Sequence, residues 1–176
     1  MSNFSLPQAD EYAEFYAGYI QRVPETDVVG AMESQLTEVQ ATLNKFSDAE
    51  AESLKGTEQW SLKQVLGHLC DSDRVLSYRL LRISRGDRTP LPGYEQDDYV
   101  AEGRFNERTL ESLLEEYTLL RKATIALAKT ITPEMAPRRG VANGSEVTVR
   151  ALLYIIVGHT RQHLEFIRMR NAGKLS

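Results

Sequence analysis

A chain of 176 residues, 41% hydrophobic and 26% charged, is the size of one ordinary domain and long enough to bury a substantial core. Its formal net charge of -4 argues against DNA or an anionic membrane as the main partner, because both demand concentrated Lys and Arg. A single cysteine, Cys70, excludes an intramolecular disulfide; with no basic start before an apolar run and no stretch near ~18 apolar residues, the expectation is a cytoplasmic protein without signal peptide or membrane span.

Residues up to Leu6 read as a frayed start, and Pro7 to Arg22 then predicts a short helix ended by Pro24. Tyr12, Phe15, Tyr16 and Tyr19 fall on one side of it as a core stripe. Asp27 is placed to cap a second helix, where Val29, Met32, Leu36, Val39, Leu43 and Phe46 alternate steps of three and four, as in a long bundle helix. Ser47 to Leu54 is polar, begins Ser-x-x-Glu, and reads as one or two short turns.

The plainest start signal is at residues 60–65. Ser61 and Gln64 form a capping box, with Trp60 and Val65 placed as its hydrophobic staple. The helix should run to about Arg85, where Gly86 stops it, with Leu62, Val65, Leu66, Leu69, Leu76, Leu80 and Ile83 on its apolar face. His68 lies at the edge of that face, in a row with Val65, Ser72 and Val75.

Residues 86–108 contain Pro90, Pro92, Gly93 and Gly103 and no sustained period, so they read as a long crossover or lid packed down by Tyr94, Tyr99 and Phe105. Leu110, Leu113, Tyr117, Leu120, Thr124, Leu127 and Ile131 mark another bundle helix, and Thr132-Pro133 starts a short turn. Asn143-Gly144 between Val141 and Val147 signals a small β-hairpin, after which Thr148 can cap a last helix ending near Gly173. The expected fold is all-α, a four-helix bundle with an extra short N-terminal helix and a small β-hairpin, filling residues 1–176 as a single domain.

The chemistry concentrates in the histidines, of which the chain has three. Val149, Leu152, Ile156, His159, His163 and Phe166 follow at spacings of three or four, so His159 and His163 share the core-facing side of the last helix. A buried imidazole without a partner costs on the order of a few kcal/mol, so each needs a hydrogen bond or a metal. Imidazoles at i and i+4 can reach one ion, and His68 on another helix of the bundle is a third candidate ligand. Three neutral imidazoles leave a position open on Zn²⁺, Ni²⁺ or Fe²⁺, as catalysis requires. Thr160, Arg161 and Gln162 separate the pair, so the glutamate base of a His-Glu-x-x-His motif is missing.

Asp71, one turn from His68, is read either as a base or orienter of that histidine, or as a solvated helix carboxylate. Cys70 reads as a small buried residue facing away from His68. Arg79, Arg82 and Arg85 would gather at the bundle mouth to attract an anion, or lie along a solvated face. Glu95, Asp97 and Asp98 lack the glycine placement of a calcium loop and read as surface.

Trp60-Ser61-x-x-x-Val65-Leu66-x-His68-Leu69-x-Asp71, together with Gly158-His159-x-x-x-His163, resembles the DinB-like superfamily of metal-dependent hydrolase-like and thiol-dependent transferase bundles. Arg85-Gly86-Asp87, Leu91-Pro92-Gly93-Tyr94 and Val149-Arg150-Ala151-Leu152 extend the resemblance over most of the chain. It implies a four-helix bundle in which His68, His159 and His163 bind a divalent metal in a cleft at one end. It also implies a small-molecule substrate, a low-molecular-weight thiol among the candidate partners, and a homodimer. Three functional readings follow: a metal-dependent hydrolase or thiol S-transferase, a bundle that carries or senses a metal or small ligand without turnover, and a helical interaction protein whose histidines are satisfied core residues.

Overall fold

The computed structural model describes residues 4–57 and 59–175, so Met1 to Asn3 of the expected frayed start lie outside the described residues. From Phe4 onward the start is ordered by contacts: Phe4 is buried, and its amide donates to the Thr26 carbonyl at 3.0 Å.

The predicted helix from Pro7 to Arg22 does not form as one piece. Two 3₁₀ turns, Ala9–Glu11 and Glu14–Tyr16, precede a single α turn, α1 (Ala17–Ile20). Tertiary bonds override the local period here. The buried Glu11 carboxylate accepts from Arg150 Nε at 2.9 Å and from Thr148 Oγ1 at 3.0 Å, and Asp10 pairs with Arg139 at 2.7 Å. Extended backbone at Tyr12 and Ala13 lets the segment follow those partners. Tyr12, Tyr16 and Tyr19 still pack partly on the core, whereas Phe15 is 72% exposed and leaves the expected stripe.

The other start signals act as read. Asp27 accepts from the Gly30 amide at the head of α2 (Val28–Leu43), and Ser47 with Glu50 forms a capping box on α3 (Asp48–Ser53). Ser61 and Gln64 form another at α4 (Leu62–Ser84), and Gly86, at φ +82, accepts the left-handed turn that ends it. All seven apolar positions read on α4 are buried.

The 86–108 connection holds more structure than its composition announces. It contains α5 (Gln96–Glu102), which buries only Val100 and so carries no periodic signature, and a 3₁₀ turn, Phe105–Glu107. Phe105 is buried against α4, where a Cβ at Gly67 would lie 2.2 Å from its ring. Tyr94 is half-buried and Tyr99 is about half exposed, so only part of the expected packing is present.

Next come α6 (Leu110–Ala128), capped by Thr109, and a hairpin of β1 (Arg139–Ala142) and β2 (Ser145–Thr148). Asn143 at φ 51 and Gly144 at φ 74 supply the two left-handed residues of a tight turn. Thr148 caps α7 (Val149–Arg170), and α8 (Ala172–Leu175) closes the chain.

The long helices α2, α4, α6 and α7 pack as a four-helix bundle, α4 and α2 each lying against both α6 and α7. Residues 151–160 of α7 are buried on every side, because the N-terminal segment covers the face that a simple bundle would leave in water.

Its core is divided. One apolar cluster joins Val28–Met32, Leu76–Ile83, Ile125–Ile131 and the first turns of α7; a second joins Leu36–Leu43, Leu62–Cys70, Leu110–Tyr117, Leu164 and Ile167. The residues between them are polar. Arg121 Nε donates to Asp73 at 2.9 Å, and its two terminal nitrogens donate to Gln35 Oε1 at 3.0 Å and Thr160 Oγ1 at 2.9 Å. Thr124 Oγ1 donates to the other Asp73 oxygen at 3.1 Å, and Gln35 Nε2 to the Val157 carbonyl at 2.8 Å. One network therefore touches all four long helices.

Among the described residues no helix is long and apolar enough to cross a membrane.

Asp73→Ala strands the Arg121 charge in the interior and is expected to lower unfolding stability by about 3–5 kcal/mol in urea melts. Replacing both together, as Asp73→Leu with Arg121→Met, should cost markedly less, because no buried charge is left behind.

At the end of α4, Arg82 and the Thr89 amide hold the Asp87 carboxyl down at about 2, against an ordinary 3.8. With the folded value depressed, its contribution is present above pH 3.8 and is lost as pH falls toward 2. The Tm difference between wild type and Asp87→Asn should therefore shrink across that interval.

Candidate metal centre

His159 and His163 come from α7, His68 from α4, and the three rings meet at the polar junction of the two cores. Their Nε2 atoms converge: His159 lies 3.0 Å from His68 and 3.2 Å from His163. Hydrogen bonding alone satisfies this arrangement poorly. A neutral His159 Nε2 has either one proton or one lone pair, so it cannot pair well with both neighbours at once. A cation bound by nitrogens at about 2.0–2.1 Å sets those nitrogens about 2.9 Å apart at right angles and about 3.3 Å apart at the tetrahedral angle. The observed separations fall in that range, and the three donor atoms all lie within 4.8 Å of one another.

Burial keeps the imidazoles neutral, which is the state in which they donate to a metal. Loss of hydration pushes His68 down to about 3 and His163 down to about 4. His159 is also driven well below its ordinary value, by burial first and then by the neighbouring histidines and Arg121.

Aromatic rings fix the geometry. Trp60 lies 4.9 Å from His68 and stacks on His163 at 6.5 Å and 17°, besides packing with the second core cluster. Tyr19 meets His159 edge-on at 5.3 Å, and Phe166 meets His163 edge-on at 6.4 Å. The buried Nδ1 of His163 makes no hydrogen bond to the described residues, so stacking holds that ring. Gly158 explains how Tyr19 comes so near. A Cβ there would sit 2.0 Å from the Tyr19 carbonyl oxygen, so only glycine admits this backbone beside His159.

Two cavities flank the cluster. One of about 360 Å³ is lined by Trp60, His163, Phe166 and Asp97, the other of about 300 Å³ by His159, Ser72, Arg79 and Tyr94, and Tyr19 and Gln96 line both. Ser72 Oγ lies 3.4 Å from His68 Nε2 and 2.9 Å from the Tyr94 hydroxyl, which extends a polar path away from the histidines.

The remaining candidates do not join them. Asp71 pairs with Arg74 at 3.6 Å and has no hydrogen bond to His68 among the described residues; burial raises its carboxyl. Cys70 is buried with its thiol toward the Leu113 carbonyl and pushed up by desolvation. The three arginines part company: Arg79 turns inward to the Pro92 carbonyl, Arg82 pairs with Asp87, and Arg85 is exposed beside Arg88, Arg138 and Arg139. Glu95, Asp97 and Asp98 are exposed as expected, although Asp97 also borders the larger cavity. Ser72 was visible in the sequence only as a neighbour of His68 in its helical row. Tyr19 and Tyr94 reach the site from segments whose spacing carries no signal for it.

The sequence matches the DinB superfamily over residues 31–167. The chain belongs to that superfamily. Its fold is similar to that of YfiT from Bacillus subtilis, described as a probable metal-dependent hydrolase with an unusual four-helix bundle topology. That likeness has a TM-score of 0.76 at 16% identity, over 97% of this chain and 93% of the other. A mycothiol-dependent maleylpyruvate isomerase is similar with a TM-score of 0.70 at 13% identity, over 84% of this chain and 62% of that longer one. At these identities the likenesses establish the fold. Comparison with curated proteins finds no match.

A DinB bundle with this cap should be sensitive at position 158. Gly158→Ala is expected to cost about 1–3 kcal/mol of stability and to displace Tyr19 from His159, read as a change in Tyr19 side-chain NMR shifts.

Proposed function

We propose that His68, His159 and His163 hold one divalent cation and that this DinB protein is an enzyme acting on a small molecule, as a metal-dependent hydrolase or as an S-transferase for a low-molecular-weight thiol. The observation that carries the reading is the convergence of three buried, neutral Nε2 atoms on a point flanked by two cavities. The donor set suits zinc, nickel or iron. A bound ion would supply Lewis acidity toward a water, thiol or carbonyl oxygen.

The protein's own groups do the rest. Trp60, Tyr19 and Phe166 exclude bulk water from the histidines and fix their rings, so the donor set is organised before any ion arrives. Desolvation raises the Tyr94 hydroxyl, which keeps its proton at neutral pH, and its bond to Ser72 Oγ places a proton donor or acceptor beside the site. Asp71, half-buried and directed to Arg74, has no role in this scheme. The cavities accept a small organic substrate and are too small for a protein partner. The histidines alone also suit a carrier that does not turn over, but the Ser72–Tyr94 pair favours the enzyme.

Protein purified without a histidine tag should contain about one ion per chain by elemental analysis. His159→Ala should lose both the ion and turnover of activated esters, amides or epoxides, assayed with and without small thiols. Metal content retained in that variant would refute the assignment.

A further inference from the structure

Arg79 carries a charge that the site described so far does not use. His68, Ser72, Leu76 and Arg79 follow along one stripe of α4, and the last three line the smaller cavity together with His159. Arg79 is 4% exposed, its guanidinium donates to the Pro92 carbonyl at 2.8 Å, and its Nε has no hydrogen-bond partner. Among the described residues it forms no ion pair. Glu95 borders the same cavity but is exposed and not paired with it, and Asp71 is paired with Arg74. The other polar groups there, among them Ser72, Tyr94, Gln96 and Asn143, carry no charge. A buried guanidinium beside a carbonyl oxygen still lacks a counter-charge, and burying a charge unpaired is costly. Arg121 on the same bundle shows the contrast, since its carboxylate partner is built into the fold.

We propose that Arg79 binds the carboxylate of the substrate, whose reacting end lies toward His159, so that the enzyme acts on small organic acids. A single guanidinium, in a cavity whose one acidic side chain is the exposed Glu95, balances one negative charge, which fits a carboxylate better than a phosphate dianion. The stripe from His68 to Arg79 spans eleven residues, about 16 Å of helix, and both Arg79 and His159 line the smaller cavity, although Arg79 also borders a second pocket beside Pro92. The acid is thus held at one end of the cavity and the reacting bond at the other. This rests on the proposed catalytic site for its direction, but the recognition itself does not depend on a metal.

The test uses metal-free full-length protein, titrated with 4-phenylbutyrate and with its uncharged amide, followed by NMR shifts and calorimetry. Wild type should bind the acid about tenfold or more tightly than the amide. Arg79→Gln should abolish that preference, and Arg79→Lys should restore part of it. A role for Arg79 confined to pinning the Pro92 loop would change the melting temperature of these variants and leave the preference intact. Equal binding of acid and amide by wild type, no binding of either, or an unchanged preference in a folded Arg79→Gln overturns the proposal. Metal analysis of wild type and Arg79→Gln as purified, before any ion is stripped for the titrations, separates the two ideas: an ion retained in Arg79→Gln with the preference lost supports acid recognition, whereas an ion missing from wild type refutes only the metal assignment.

Discussion

The buried Arg121–Asp73 pair is the constraint on which the bundle's arrangement depends. Its guanidinium has three hydrogen-bonding nitrogens committed to three different helices, and the carboxylate it meets is committed in turn to Thr124. Apolar packing alone tolerates a helix sliding by a turn, since one leucine resembles another. A charge that must keep its partners in a dry interior does not, and a slip of α2, α4, α6 or α7 would leave at least one group unsatisfied. The pair therefore serves as a registry device, with apolar clusters on either side supplying the burial energy.

The histidines inherit that registry. Thr160 follows His159 and holds one end of the network, so the rotation of α7 that satisfies Arg121 also aims His159. Asp73 and His68 are five residues apart on α4, and the same registry fixes how far along α7 the third ring meets the other two. Arg121 in turn depresses His159 across this short distance, so the structural network and the candidate site share one electrostatic environment.

Much of this was legible before any coordinates. The four long helices follow from period and caps, and the hairpin from Asn143-Gly144, because those features depend on neighbours within a few residues. His159 and His163 could be placed on one inward face for the same reason. The Arg121 network could not be read, since Asp73, Arg121, Gln35 and Thr160 look like ordinary polar residues until four helices are assembled. The N-terminal segment misled in the opposite direction: its aromatic spacing is helical, yet Glu11 and Asp10 are drawn to Arg150 and Arg139 far along the chain. Asp71 has the right spacing from His68, but its carboxylate pairs with Arg74, which also meets Glu116.

Tyr19 reaches His159 from a strap that precedes the 31–167 span of the superfamily match, and it does so by backbone contact at Gly158. The strap is thereby a separate part of the chain from α4 and α7, which carry the three histidines and themselves supply part of the cavity walls. Substitutions of the three histidines fall on α4 and α7, while the strap and the 86–108 crossover can change the remaining cavity walls without touching a histidine. A bundle built on this plan can vary the walls around an inherited histidine cluster by exchanging its straps.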